Sequence, residues 1–230
     1  MRPNLIVWTI TLWAAAQPAA AAPGDLPGWE AARWGMTAAE LEAAFGERLS
    51  PLPGRWVYGG AYARQAILKV SLGELDFTAY FQMNESDDRL QQVLLERRQQ
   101  QALPGSFEKL QDHLETLYGP ASEACLLSER DPTGLELVWR FPTTTVHAAF
   151  LNFFSTSVLY FDPSLDIDPL RPSSEERVIR RRTLPRRITL RFHPASRQDL
   201  MSLHAVCYPS LADLQETLGA APAGEETPKP

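Results

Sequence analysis

The chain has 230 residues, of which 44% are hydrophobic and 22% charged, with 22 basic against 28 acidic side chains and a net charge of −6. A chain this long and this apolar can bury enough surface to fold unaided, which excludes wholesale disorder, and its acidity denies it the basic footprint that nucleic-acid binding needs. It contains no run of 18 uninterrupted apolar residues, which argues against a polytopic membrane protein.

From the N-terminus, residues 1–22 read as a secretory signal peptide. Arg2 is followed by an apolar stretch over residues 5–16, then Gln17, Pro18 and alanines ending at Ala22. The stretch is shorter than the ~20 residues of a bilayer span, and cleavage is expected between Ala19 and Ala22. No cysteine follows it, so lipoprotein acylation is not available, and the mature protein is expected to be periplasmic or secreted. An even count of two cysteines in an exported chain predicts a Cys125–Cys207 disulfide, with two buried free thiols as the alternative. Closing so long a loop is worth about 4–5 kcal/mol on chain-entropy grounds.

The first element is a helix announced by Trp34-Gly35-Met36-Thr37-Ala38-Ala39-Glu40-Leu41. Thr37 and Glu40 have capping-box spacing, Met36 can staple to Leu41, and Gly46 supplies the stop after Phe45. A second helix is expected from Ser106 as cap through Phe107, Leu110, Leu114, Leu117 and Tyr118, ended by Gly119-Pro120. After each helix the apolar period drops to two. Ala66, Leu68, Val70 and Leu72 predict one strand, Leu75 to Met83 a second, and a turn over residues 84–88 returns the chain through a third strand at 90–95. Further strands are expected at Leu135 to Phe141, Val146 to Phe150, and Val158 to Tyr160. Phe45-Gly46 and Tyr118-Gly119 lie 73 positions apart, which suggests two related halves, about 34–103 and 104–162.

This layout over Trp34 to Asp162, with its Trp34-Gly35-Met36-Thr37-x-x-Glu40-Leu41 segment, resembles the helix-plus-antiparallel-sheet units of exported bacterial proteins, namely the β-lactamase inhibitor proteins and the outer-membrane assembly lipoproteins of the BamE kind. The resemblance implies a binding role without naming a partner or a binding residue. The chain departs from it by lacking the lipoprotein cysteine and by carrying an additional C-terminal segment.

Past Asp162 the sequence becomes proline-rich, and residues 163–176 read as a linker between a 23–162 domain and a C-terminal segment at 177–218. That segment holds the densest charge feature: Arg177, Arg180, Arg181, Arg182, Arg186, Arg187 and Arg191. Ile188, Leu190 and Phe192 predict the inner face of a strand, with Arg187, Thr189, Arg191 and His193 on its outer face. The arginines could dock an anionic partner, whether lipid headgroups or an acidic protein surface. The alternative is a solvated edge balancing Asp162, Asp166, Asp168, Glu175 and Glu176. Ser196 with Asp199 and Ser210 with Asp213 predict two short capped helices, and residues 219–230 read as a disordered tail.

Motifs for chemistry are absent. The sequence has no G-x-S-x-G, H-E-x-x-H, P-loop or G-x-G-x-x-G pattern. His113, His147, His193 and His204 show no ligand spacing, and His147 is expected on the solvent face of its strand, so no catalytic residue, metal site or cofactor is assigned. A hydrolase of unrecognised type would need a pocket that brings His147 or His113 beside an acid. The sequence therefore predicts an α+β protein, short helices packed on antiparallel sheet in two similar halves with a C-terminal appendage. Its expected role is to bind another envelope or secreted protein through the sheet surface or an edge, with Tyr58, Tyr62 and Tyr80 as candidate anchors and Trp56 more at home in the core.

Overall fold

The computed structural model describes residues 24–58, 60–98, 102–126, 134–152, 186–197 and 206–220. The signal peptide at 1–22, the strand expected at 158–160, the 163–176 linker, Arg177, Arg180, Arg181, Arg182, His204 and the tail beyond 220 lie outside these residues.

A two-stranded hairpin, β1 (Gly28–Trp29) and β2 (Ala32–Arg33), precedes helix α1 (Ala38–Phe45). Both halves of the Thr37–Glu40 capping box form, and the Thr37 amide bonded to the Glu40 carboxylate holds that carboxyl below its ordinary range. Four strands follow: β3 (Ser50–Tyr58), β4 (Ala61–Leu72), β5 (Leu75–Asn84) and β6 (Leu90–Arg98). Helix α2 (Pro104–Tyr118) opens a second set: β7 (Glu123–Leu126), β8 (Gly134–Arg140), β9 (Thr144–Asn152) and β10 (Arg186–Pro194). The short β11 (Val206–Tyr208) and helix α3 (Leu211–Ala220) complete the described chain.

All nine strands from β3 to β11 belong to one antiparallel sheet of order β11-β7-β8-β9-β10-β6-β5-β4-β3. The fold is α+β, and the helix followed by a four-stranded meander occurs twice. The two meanders join through their last strands, with Leu95 of β6 opposite Leu190 of β10. The second unit thus closes with a strand well beyond residue 162. The segment expected to be an appendage instead supplies β10, an interior strand flanked by β9 and β6. Its arginine-rich composition suggests surface, and local sequence carries no record of which strands lie on either side.

One face of the sheet carries the apolar core. Phe77, Ala79, Phe81 and Met83 of β5, Val93 and Leu95 of β6, Ile188, Leu190 and Phe192 of β10, and Val146 and Ala148 of β9 pack there with Leu41 and Phe45 of α1, Phe107, Leu110 and Leu114 of α2, and Leu214 of α3. Trp29 bridges the two units, its ring 5.9 Å from Phe81 and 6.4 Å from Phe192. Further ties run from the N-terminal stretch to the second unit: Trp34 Nε1 donates to Thr144 Oγ1 at 2.8 Å, and Thr143 donates to the Asp25 carboxylate, which these bonds hold below its usual range.

Several expectations need correction. Helix α2 begins at Pro104, whose missing amide and preset φ suit the first helical position, so Ser106 lies inside the first turn and caps nothing. Leu117, placed on the buried stripe by spacing, is 43% exposed, and Leu218 of α3 is also exposed. Helix α3 is capped by Ser210 as expected, its Oγ accepting from the Asp213 amide and its hydroxyl donating to the Asp213 carboxylate, and it runs through Gly219 to Ala220, past the start assigned to the tail. Strands β3, β7 and β11 and the β1–β2 hairpin were not expected. Prolines and glycine in β3 hide its pattern, and the others are too short for periodicity to register.

Cys125 and Cys207 are directly opposite in the β7–β11 pair and form a disulfide. The bond closes a separation of 82 residues and fastens a three-residue edge strand and α3 to the sheet. Replacing both cysteines with serine should lower the unfolding free energy by about 2–5 kcal/mol in urea titrations, and reductant should do the same to the wild type alone. Gly28 has φ 155°, and a Cβ there would lie 2.0 Å from the Ala32 carbonyl oxygen. Gly28→Ala should therefore force the hairpin open and lose about 1–3 kcal/mol in the same assay.

Candidate functional site

The sheet face opposite the helices was expected to meet solvent. At its centre it is instead both polar and buried. Gln82 of β5, Gln92 and Glu96 of β6, Glu136 of β8, Thr145 and His147 of β9, and Arg187, Thr189 and His193 of β10 are all buried. They fall on one face because each alternates with a core residue on its strand.

Register explains which of them meet. His147 is opposite Val138 on β8 and opposite Arg191 on β10, so Glu136 and His193 are its diagonal neighbours, within reach of long side chains. Glu136 Oε1 lies 3.4 Å from His147 Nδ1 and 3.7 Å from Arg191 Nη2. His147 Nε2 and His193 Nε2 are 3.0 Å apart, and His193 Nδ1 is 2.9 Å from the Pro194 carbonyl oxygen. Further along, Arg187 is diagonal to Glu96 and pairs with it at 3.3 Å. Gln92 donates to Gln82, its cross-strand partner. The result is a line of charged and polar groups crossing β8, β9, β10, β6 and β5.

The arginine strip divides accordingly. Arg187, expected on an exposed docking strip, is 2% exposed and held by a carboxylate, and Arg191 is mostly covered beside Glu136. Arg187 is withheld from an external anion by its burial against Glu96, whereas Arg191 keeps part of its side chain exposed. Arg186 is in β10 by its backbone, and the remaining four arginines lie outside the described residues.

The tyrosine anchors are also relocated. Tyr80 is 2% exposed and packs edge-on against Trp56 at 5.4 Å, within a small cluster that includes Ala63 and Ala66. Tyr62 is buried, donates to Asp88 at 2.6 Å and lies under the Arg55 guanidinium, and burial raises its phenol above the ordinary value. Neither ring forms an exposed contact surface. Tyr58 belongs to β3 by its backbone. Tyr118, which was read as part of the α2 stripe, is pushed up to about 12 by burial and stays neutral.

Sequence reasoning missed Glu96 and Glu136 and placed His147 in solvent. The available signal was polar residues at every alternate position of strands whose other positions are apolar, a pattern that also fits an exposed face. Among the described residues the one grouping of three metal-donor side chains is Glu123, Cys125 and Cys207, and its two thiols are consumed by the disulfide. His113 is half-buried on α2.

The chain matches no protein-family model, and no curated protein or solved structure shows significant similarity to it.

The Glu96–Arg187 pair and the bonds around it should act as a unit. Glu96→Gln and Arg187→Met, made singly and together, should show a non-additive coupling of about 0.5–3 kcal/mol in a double-mutant cycle read by urea unfolding.

Proposed function

We propose that the chain is an exported, non-catalytic module that binds another envelope or secreted protein through the outer edge of β3. A disulfide between Cys125 and Cys207 belongs in an oxidising compartment, and residues 1–22 carry the pattern of a cleaved signal peptide. The repeated helix-and-meander plan fits the resemblance to exported binding proteins. The observation that carries the choice of surface is the position of β3: among the described residues it pairs only with β4, leaving its other side open to an incoming strand. Val57 is 46% exposed there. The register breaks between Pro51 and Trp56, where Pro53 and Gly54 also fall, so only residues 56–58 offer a regular ladder. That restriction guards against indiscriminate edge pairing and favours one short extended segment of a partner.

A second reading, a hydrolase of unrecognised type, has one observation in its favour: the Glu136 carboxylate set against the buried His147 ring, as an acid orients a general base.

Tagged wild-type protein should recover a stoichiometric partner from periplasmic extract, and Val57→Asp should weaken that recovery by roughly tenfold. Intact-mass measurement should place the mature N-terminus at residue 20, 21 or 22. Recovery of nothing by the wild type would remove the binding reading, and ester or amide turnover abolished by His147→Ala would transfer the assignment to the hydrolase.

A further inference from the structure

We propose that His147 and His193 hold one proton between them, giving the buried pair a single positive charge and making the folded state a sensor of pH in the range around neutrality. The inference stands apart from the binding reading and rests on where protons can sit.

The two Nε2 atoms are 3.0 Å apart while the ring centroids are 5.0 Å apart, with the planes inclined by only 26°. The rings therefore meet end to end, nitrogens leading, instead of face to face. Two nitrogens cannot face each other at that distance with a lone pair on each, so one of them carries a proton. The outer nitrogens are also spoken for. His193 Nδ1 is 2.9 Å from the Pro194 carbonyl oxygen, which only accepts, so this nitrogen donates. His147 Nδ1 faces the Glu136 carboxylate at 3.4 Å, which favours a proton there as well. Two outer protons and one between the rings make three protons on four nitrogens, one more than two neutral imidazoles hold.

The surroundings suit that count. His147 is 4% exposed and His193 6%. The charged groups on this face among the described residues are Glu136 from β8, Arg191 and Arg187 from β10, and Glu96 from β6. Among the described residues Glu136 is the acid in contact with the pair. A second proton would set two N–H groups and two like charges against each other in a buried site, and loss of the first would oppose two lone pairs.

The direction of the pH effect follows. In the unfolded chain both rings go from charged to neutral around pH 6.5. Below that pH the unfolded state binds two protons at these rings and the folded state one, so stability rises with pH. Above it the unfolded state binds none and the folded state still one, so stability falls until the folded pair releases its proton. The contribution is a bell centred near pH 6.5, approaching a tenfold change in the unfolding constant per pH unit on each flank.

The test is urea unfolding of the full chain from pH 5 to 8.5 for the wild type and for the double variant that combines His147→Gln with His193→Gln and so removes both titrating rings, with the variant curve subtracted. A maximum in the difference near pH 6.5 is expected; a flat or monotonic difference overturns the proposal. Should the double variant fail to fold, nitrogen-15 NMR of the wild-type imidazoles decides. Three protonated ring nitrogens between the two residues at pH 7.5 support the shared proton, and two neutral tautomers exclude it. Paired Nε2 atoms with braced Nδ1 atoms are also a posture of metal ligands, so unfolding is repeated with EDTA and with added zinc. A stability lost to EDTA and restored by zinc, dependent on both histidines, would replace the proton with an ion and overturn the proposal.

Discussion

Register at the seam between β6 and β10 is the constraint on which the rest of the structure depends. Each strand there sends alternate residues to opposite faces, and neither face is open to water at the centre. Val93, Leu95, Ile188, Leu190 and Phe192 enter the apolar core, while Glu96, Arg187, Thr189 and His193 enter the polar layer. A slip of one residue would drive two arginines and a histidine into hydrocarbon and strand three large apolar side chains among charges. The same seam fuses the two helix-and-meander units, so the register that sorts side chains also sets how the units meet.

The polar layer is better understood as a source of specificity than of net stability. Desolvating Arg187 and Glu96 costs much of what their attraction returns, and a well-packed apolar replacement of similar shape can match such a pair. Its geometry is nevertheless demanding. Glu136, His147, His193 and Arg191 touch only when β8, β9 and β10 hold their observed alignment, because each contact runs diagonally from one strand to the next. On the opposite face, Trp29 fills the place where the units abut, against Phe45 and Phe81 of one and Phe192 of the other.

Local rules were enough to read the α+β class, the α1 cap at Thr37, the β5–β6 hairpin, the inner face of β10, the Ser210 cap and the cysteine pair. Each depends on residues a few positions apart or on a count of two. What local rules could not supply was adjacency. Arg187 of β10 resembles part of a surface strip until Glu96 of β6 is brought alongside it. His147 resembles a solvent-face residue until Glu136 and His193, 11 and 46 positions away, are brought alongside. Tyr80 resembles a surface anchor until Trp56 of a strand disguised by prolines is laid against it. The polar layer was thus visible as residues and invisible as a site.

The late position of β10 in the chain has a consequence for how the molecule assembles. This interior strand is synthesised after β6 and β9, the two strands it joins, so no strand links the half-sheets until residue 194 is available. Until then β6 and β9 are left as unsatisfied borders of separate half-sheets, poorly able to lock into a finished body. Such postponement keeps the thread slack through most of its synthesis and reserves consolidation of the finished body for the moment when β10 slots between its two neighbours.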